Sequence, residues 1–475
     1  MFFLFRKISF NYLFIFLVGL LILHFFILND FPFFWDAVSK SERASWIYDN
    51  NFNSLIVPPE INSGHPPLWI TLLAASWAVF GKTIWISRLL LLFVNIGVVY
   101  QILRFCKRNF IHSISLLFIF LVLLEPTYIA QTTGLNNDML LLFFTLLSLN
   151  SIIKPNSFYL GLALTGLLFT NLRGIYLFLA LGIIHLILER KGLIEKIRYF
   201  KFSYTIPILL FTVFCYYQYK TLGWFIINQT EGLNQHRQLV GMKQILLNVL
   251  VFIKSFLEYG RIFLLIFLIP LLFKYYSKTK PRSKIIDRLI IMIVVFTIVL
   301  FTGVISFSNP FGDRYFMIIF LLAIVLTINL LIYLQIKRTK VITGIVVLGF
   351  ITGHFWIYPP TISQSWDSSL AYLNIYKVEN QMESYIDSQK INRNDIGTSI
   401  PLNTRGFSTF LTLKQTDYYS GIDLDSNAYI LLSNIENETK DQELNYIRNN
   451  WKLVKTYSRL GVFMSLYSKE KESYK

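Results

Sequence analysis

Long apolar segments separated by short polar connections make up the first three quarters of the chain. The segment from Ile8 to Leu28 is long enough to cross a bilayer core of about 30 Å as a helix. Further apolar segments of this kind are residues 85–105, 111–128, 138–153, 158–171, 174–189, 203–219, 257–273, 289–306, 315–335 and 341–358. The pattern predicts about eleven transmembrane helices, with an interruption between Asn171 and Gly174 and with the stretch 244–256 unassigned.

The first long polar interruption, residues 30–84, follows the first predicted helix. It reads FPFFWDAVSKSERASWIYDNNFNSLIVPPEINSGHPPLW from Phe31 to Trp69 and continues into a short amphipathic segment, Leu68 to Phe80. A connection of this length is too long for a simple hairpin between two membrane helices, and long loops in compact proteins tend to be functional. We therefore predict that this loop forms the floor of an active site.

The hydrophobic pattern changes after Pro359 and Pro360. Residues 361–475 contain no membrane-length apolar segment, but they show helical periodicity from Ile375 to Ile386 and alternation typical of strands at 427–432, 452–458 and 462–467. The sequence therefore predicts two parts: a membrane domain, residues 1–358, and a small α/β domain outside the membrane, residues 359–475.

Composition and charge support this division. Of the 475 residues, 54% are hydrophobic and 15% are charged, which is typical of an integral membrane protein and not of a soluble one. The two cysteines lie in or beside apolar segments and indicate neither a disulfide framework nor a metal site. The net charge of +17 comes from basic clusters between apolar segments, so it predicts cytoplasmic loops and not binding to nucleic acid.

The basic clusters also predict an orientation. With the N-terminus inside and eleven spans, residues 190–201, 274–288 and 337–340 all become cytoplasmic. The loops at 30–84, 129–137, 220–256 and 307–314 then share the outer face of the cytoplasmic membrane with the C-terminal domain.

Asp36 is the first candidate for chemistry. It follows Phe33, Phe34 and Trp35, aromatic residues of the kind that anchor at a membrane interface, so its carboxylate would lie near lipid headgroups. There it can take a proton from a hydroxyl as a general base. The alternative is that Asp36 caps a helix beginning near Ala37, since aspartate is a favoured N-cap residue.

Asp138 is the second candidate, because it stands at or just inside the start of a predicted span. An ionisable residue at that depth is costly and is a functional candidate by default. It too can be explained as a helix cap, a role for which Asn136 and Asn137 compete. Glu125, at the outer end of its span, is a weaker candidate for the same reason.

Three further residues are candidates for binding. Arg173 and Arg314 are both predicted at the outer face, where a guanidinium can bind a phosphate through two hydrogen bonds. Each can instead be an interfacial arginine reaching to lipid headgroups. His65, in the Gly64-His65-Pro66-Pro67 turn, can bind a metal, orient Asp36 or simply form the turn.

Several of these segments resemble one family. The long first loop with an early Asp36, the SGHPPLW and FGKTIWISRLL segments, EPTYIAQTTGLNNDMLLLFFTLLSL and DRYFMIIFLLAIV are together similar to the polytopic GT-C glycosyltransferases. Within this class, the segments most resemble the protein-O-mannosyltransferases and the aminoarabinose transferases. The resemblance covers about residues 1–358 and implies a GT-C-like fold of transmembrane α-helices for this part, to which the pattern after Pro360 adds the C-terminal extracytoplasmic α/β domain.

The resemblance implies an activity: transfer of a sugar from a polyprenyl-phosphate donor to a glycan, lipid or protein acceptor at the outer face. It places Asp36 on the family's catalytic acid, Asp138 on its second acidic position, and Arg314 with Tyr315 in its late Arg-Tyr segment, where Arg314 is a candidate for donor phosphate. Many relatives follow the first acid with a second, whereas here Ala37 follows Asp36.

The chemistry of such a donor agrees with what the sequence contains. A lipid-linked donor needs interfacial cations for the leaving phosphate and a base for the acceptor hydroxyl, but no nucleotide-phosphate loop, and no GxxxxGK[ST] or GxGxxG motif occurs. A single base without a nucleophile partner predicts inversion at the anomeric carbon. The sequence contains no convincing cluster of metal ligands, so it leaves the need for a divalent cation undecided.

A protein of another class, a transporter or flippase for lipid-linked sugars, is the alternative. Such proteins often contain internal repeats and helices broken at the membrane midplane. The chain has no evident repeat, and the interruption beside Arg173 is its one hint of a broken helix.

Overall fold

A computed structural model describes residues 9–111, 116–226, 228, 238–277, 281–308, 311–359, 362–399, 402–403, 411, 419–436 and 439–469. Most of this part of the chain is helical. Its α-helices, numbered α1 to α17 in chain order, are Phe10–Leu28, Asp36–Asp49, Leu68–Phe80, Ile84–Asn109, Leu116–Leu123, Pro126–Thr133, Asp138–Ile153, Ser157–Thr170, Arg173–Arg190, Phe200–Leu222, Met242–Ser255, Arg261–Ser277, Lys284–Ile305, Met317–Tyr333, Thr339–Gly353, Ile375–Ser388 and Asp441–Asn450.

Five helical segments are long and apolar enough to cross a membrane. They are Phe10–Leu28, Ile84–Asn109, Phe200–Leu222, Lys284–Ile305 and Asp313–Tyr333, the last of which joins a 3₁₀ turn, Asp313–Phe316, to α14. Helices α3, α7, α8 and α15 are apolar but shorter. The chain is therefore a multi-pass membrane protein.

The middle of the helical bundle is formed by α7 and α14, since nearly all of their side chains are buried. Both helices begin at the same end of the bundle: Asp138 starts α7, and Arg314 lies just ahead of α14, with its Nε 3.8 Å from the Asp138 carboxylate. This end of the bundle holds the site described below.

The prediction of one continuous helix over 111–128 is wrong. Helix α5 ends at Leu123, and a new helix, α6, starts at Pro126. Glu125 caps α6 by accepting a hydrogen bond of 2.7 Å from the backbone N–H of Tyr128, and proline is favoured at the first helical position because it has no N–H to satisfy. Residues 112–115 of the predicted span lie outside the described part. The unassigned stretch 244–256 falls almost entirely within α11.

The interruption predicted between Asn171 and Gly174 is confirmed, since α8 ends at Thr170 and α9 starts at Arg173. The two helices meet so closely that a Cβ atom on Gly174 would lie 1.9 Å from the backbone oxygen of Leu167. Only glycine fits this approach, which fixes Arg173 at the end of the bundle where α7 begins.

Two helices lie within the loop 30–84. The segment predicted over Leu68 to Phe80 is confirmed as a helix, α3, but this helix is apolar and not amphipathic. Ahead of it, the His-Pro-Pro turn follows Gly64, which has a φ of 71° and whose N–H donates to Asn62 Oδ1 at 2.7 Å. A positive φ is readily adopted by glycine, so the turn depends on this residue.

The chain from Trp366 onward, here called the C-terminal unit, contains a mixed sheet. Its strands are β1 Ile396–Thr398, β2 Ser420–Gly421, β3 Tyr429–Ser433, β4 Lys452–Arg459 and β5 Val462–Ser468. The strand order is β2-β1-β3-β5-β4; β1 pairs in parallel with β2 and β3, and β5 pairs antiparallel with β3 and β4. The three strands predicted at 427–432, 452–458 and 462–467 and the helix now called α16 are confirmed.

The hydrophobic core of the C-terminal unit includes residues of the first loop. Phe34 belongs to the same buried cluster as Trp366 and Tyr372. Its ring stacks on Tyr372 with centroids 4.6 Å apart, and Phe31 stacks on Tyr376 at 4.9 Å. The segment directly ahead of Asp36 is therefore packed against the C-terminal unit.

Candidate active site

Asp36 is the first residue of α2, not its cap. Trp35 occupies the cap position with a φ of 50°, and no side chain caps the helix. The Asp36 carboxylate instead forms an ion pair with Arg314, and half of its surface is exposed. The alternative explanation, that Asp36 serves as an N-cap, is therefore wrong.

Asp138 is 1% exposed and starts α7, with Asn137 at the cap position. Its Oδ1 accepts a hydrogen bond of 2.5 Å from Arg173 Nη2, and its Oδ2 lies 3.8 Å from Arg314 Nε. A carboxylate buried this deeply needs cationic partners, and these two arginines supply them. The sequence placed Asp138 and both arginines at one end of the bundle, and the structure brings them together.

Arg314 joins three carboxylates. One terminal nitrogen pairs with Asp36 and the other with Asp367 of the C-terminal unit, while Nε faces Asp138. Asp367 could not be predicted from the sequence, because the pairing links positions 53 residues apart through a 3₁₀ turn, Trp366–Ser368.

A second buried cluster of charged residues supports the turn that carries Arg314. Arg261, at the start of α12, is 1% exposed, and its guanidinium lies 2.8 Å from Glu125 Oε1 and 2.6 Å from Asp313 Oδ2. Because Asp313 directly precedes Arg314, this cluster fixes the 3₁₀ turn that carries Arg314. Glu125 is thus a structural residue that ties α6 to α12.

A cavity of about 440 Å³, here called the main cavity, opens beside these residues. Its polar lining, here called the cationic pocket, comes from Asp36, Ser39, Lys40, Arg43, Ser63, His65 and Arg173, and Tyr315 also contributes to the wall. Its apolar lining comes mainly from α9 and α13 and includes Ile175, Tyr176, Leu300 and Val304. The cavity therefore combines cationic and apolar walls.

The predicted binding residues divide into two groups around this cavity. His65, Arg173 and Tyr315 line it, and the Arg173 guanidinium lies over the Tyr315 ring, 3.9 Å from the centroid. Arg314 does not line it among the described residues; it borders two small cavities of about 30 and 20 Å³ on either side of its ion pairs.

Two cations of the main cavity were missed from the sequence: Lys40 and Arg43. Lys40 is 6% exposed, and its ammonium group makes no hydrogen bond or ion pair with any residue that the structure describes. Arg43 is 4% exposed and donates to neutral acceptors, the backbone oxygen of Ser39 at 2.9 Å and the hydroxyls of Ser39 and Ser63.

A signal for these cations was present in the spacing. Residues 36, 40 and 43 are four and then three positions apart, so on a helix they share one face.

The charges alter one another's protonation. Burial by itself would raise the pKa of the Asp36 carboxyl, but Arg314 and Lys40 outweigh burial and hold this pKa well below its usual range. Burial lowers the pKa of Lys40 to about 8, against the opposing effect of Asp36. The pKa of the Asp367 carboxyl is raised, because the effect of burial is larger than the opposing effect of Arg314. Near neutral pH the main cavity thus contains an ionised Asp36 and a protonated Lys40.

Metal ligation was left undecided by the sequence. Over the described ranges, no group of three or more His, Cys, Asp or Glu side chains is arranged to hold a metal ion. The carboxylates that meet at the site are each paired with arginine.

Comparison with known proteins gives two similar solved structures. Apo ArnT from Cupriavidus metallidurans matches with a TM-score of 0.49 and 12% identity over 96% of this chain and 97% of that one. ArnT from the same organism bound to undecaprenyl phosphate matches with a TM-score of 0.46 and 14% identity over 81% of this chain and 66% of that one. No family model and no curated protein matches the chain in sequence.

The two ArnT structures belong to the group that the sequence segments resemble.

Proposed function

We propose that this protein is a membrane glycosyltransferase that moves a sugar from a polyprenyl-phosphate donor to an acceptor hydroxyl. One observation carries the proposal: Lys40 is buried, makes no hydrogen bond or ion pair with the described residues, and lines a cavity that has both cationic and apolar walls. A buried cation is costly unless anions compensate its charge. An anion attached to a long apolar chain fits both kinds of wall.

Lys40 and Arg43 hold the donor phosphate in this proposal. Both are buried, neither is paired with a carboxylate among the described residues, and both line the cationic pocket of the main cavity. Charge-assisted hydrogen bonds to phosphate are stronger than neutral ones, and they also stabilise the charge that develops as the phosphate leaves. The first isoprene units of the donor then lie between α9 and α13.

Asp36 acts as the general base. It removes the proton of the acceptor hydroxyl as that oxygen attacks the anomeric carbon, the bond from this carbon to the phosphate oxygen breaks, and polyprenyl phosphate leaves. One displacement inverts the anomeric centre. Asp36 lines the cationic pocket and half of its surface is exposed, so an acceptor can reach it.

The other predicted residues support these steps. Asp138 keeps Arg173 and Arg314 in position through the contacts of 2.5 and 3.8 Å described above. Arg173 and Tyr315 form the wall next to the phosphate pocket, and His65 faces the same space from the first loop. We assign Arg314 to the orientation of Asp36, since it borders the small cavities and not the main one.

The proposed membrane arrangement has eleven spans, namely α1, α4, the segment that ends with α5, α7, α8, α9, α10, α12, α13, α14 and α15. With the N-terminus inside the cell, this arrangement places the ends of α7, α9 and α13 that border the site, and the α2 loop, on the outer face. Residues that contact one another then lie on the same side, which supports the count. Residues 1–358 form the membrane domain, and residues 359–475 lie outside.

The orientation predicts the location of the C-terminus. Alkaline phosphatase fused after Lys475 is expected to be active, because it folds only outside the cytoplasm, while a fluorescent protein that matures only in the cytoplasm is expected to stay dark at the same position. The opposite pair of signals would contradict the eleven-span arrangement.

The activity is tested by following the lipid product. Purified protein is incubated with polyprenyl-phosphate sugars and a membrane extract that supplies acceptors, and polyprenyl phosphate is measured by mass spectrometry. We expect its release to depend on both the protein and the extract. In a parallel assay with the protein in vesicles, movement of intact lipid-linked sugar between leaflets without release would favour the transporter or flippase instead.

A further inference from the structure

The C-terminal unit reaches the site through its first turn. The backbone oxygen of Asp367 accepts a hydrogen bond of 2.8 Å from Gln131 Nε2 of α6. A few residues later, the hydroxyls of Tyr372 and Thr133 lie 2.6 Å apart, again joining the unit to α6. These contacts hold the turn Trp366–Ser368 against the membrane helices and direct the Asp367 carboxylate at Arg314.

The same unit also holds the segment that carries Asp36. Phe34, two residues ahead of Asp36, is 8% exposed and stacks on Tyr372, as described above. Asp36 is thus fixed by packing through Phe34 and by charge through Arg314, and the C-terminal unit contacts both of these residues.

The two terminal nitrogens of Arg314 are shared between two acids, while its Nε faces Asp138. One terminal nitrogen pairs with Asp36 and the other pairs with Asp367, so the guanidinium is held from both sides. A carboxylate bound by an arginine alone is a poor proton acceptor, because the full positive charge stabilises its ionised form. A second carboxylate on the same arginine offsets part of that charge and leaves Asp36 more basic.

We infer that Asp367 is a positioning residue through which the C-terminal unit sets the orientation and the basicity of Asp36. The inference rests on the proposed role of Asp36 as the base. It gives the C-terminal unit a part in the chemical step, although Asp367 does not line the main cavity among the described residues. Asp367 acts through Arg314 and not through the donor.

Asp367→Asn tests this inference in the assay of polyprenyl phosphate release. Asparagine keeps the size and one oxygen but removes the charge, so kcat is expected to fall by about tenfold, within the range seen when catalytic groups lose their alignment. The KM for the donor is expected to stay within about twofold, because residues that do not bind the donor leave ground-state affinity unchanged. Asp367→Glu is expected to restore part of kcat.

A double variant separates a positioning role from a structural one. In an Arg314→Gln background, Asp367→Asn is expected to cost nothing more, since residues that act through one partner give non-additive effects. Asp387→Asn is the matched control: Asp387 also pairs with an arginine of the C-terminal unit, Arg393, at 2.7 Å, but it is not at the site. We expect that control to retain the parent kcat.

Several results would overturn the inference. They are a parent kcat for Asp367→Asn, a rise in donor KM without a change in kcat, an additive loss in the Arg314→Gln background, or a loss explained entirely by a smaller folded fraction. If Asp36→Asn is inactive while Asp367→Asn is normal, only this inference fails. If Asp36→Asn is active, the proposed base itself is wrong.

Discussion

Replacing Asp36 by asparagine is expected to lower the rate of sugar transfer by roughly 10²-fold or more, in line with the contribution of a general base. The change keeps the size of the side chain and an oxygen that can accept from Arg314, but it cannot take a proton. Because Asp36 is the first residue of α2 and no side chain caps that helix, the variant is expected to fold and insert normally.

A second variant and a control distinguish the loss of the base from a general loss of stability. Asp36→Ala removes the contact to Arg314 as well as the base, so it is expected to be as inactive as the asparagine variant and less stable. Asp49→Asn changes an acid at the other end of the same helix, where Asp49 pairs with Lys82 at 3.2 Å, and is expected to leave transfer unchanged. Transfer at matched expression and melting in detergent measure both effects.

An active Asp36→Asn protein would exclude Asp36 as the base. Activity in that variant together with poor stability of Asp36→Ala would make Asp36 a structural residue. The search for a base would then move to Asp138, the other carboxylate that the resemblance places in the site.

Replacing Lys40 by glutamine is expected to lower kcat/KM for the donor by about 10- to 100-fold, which corresponds to the loss of a hydrogen bond to a charged group of about 1.5–3 kcal/mol. Glutamine retains most of the length of the side chain but not the charge. Lys40→Arg keeps the charge and is expected to retain more of the activity. Lys82→Gln, a lysine beside the same loop that pairs with Asp49, serves as the control.

The pH dependence of donor use reports on the same lysine. Burial lowers the pKa of Lys40 to about 8, so its ammonium form predominates below that pH and is lost above it. Since only the protonated form attracts phosphate, kcat/KM for the donor is expected to fall as the pH rises through about 8. This quantity follows ionisations of the free enzyme.

The variants separate Lys40 from other groups that titrate in this range. The fall is expected to be absent in Lys40→Gln, which has no proton to lose, and in Lys40→Arg, since arginine stays protonated. A parent-like pH profile in either variant, or an unchanged kcat/KM in Lys40→Gln, would show that Lys40 does not bind the phosphate.

Much of the fold could be predicted because it follows local periodicity. The strands β3, β4 and β5 and helix α16 show their periods directly in the sequence. The break between α5 and α6 was missed because a continuous apolar stretch outweighed two local signals, the cap Glu125 and Pro126 at the first helical position.

The site was only partly predictable. Asp36, Asp138 and the two arginines were found because charges are costly at the ends of apolar helices. The pairing of these residues could not be predicted, since Asp36 and Arg314 are 278 positions apart and no local pattern links them. Asp367 was missed for the same reason. Lys40 was missed although its spacing from Asp36 places both residues on one face of a helix.

The most direct test of the account is to label the main cavity with a polyprenyl phosphate that carries a photoreactive group on its first isoprene units. We predict that labelled peptides come from α9 and α13, around Ile175, Tyr176, Leu300 and Val304, and that undecaprenyl phosphate prevents labelling while uncharged undecaprenol does not. Labelling spread over α10, whose side chains are mostly exposed, with equal competition by both lipids, would contradict a phosphate-specific site in this cavity.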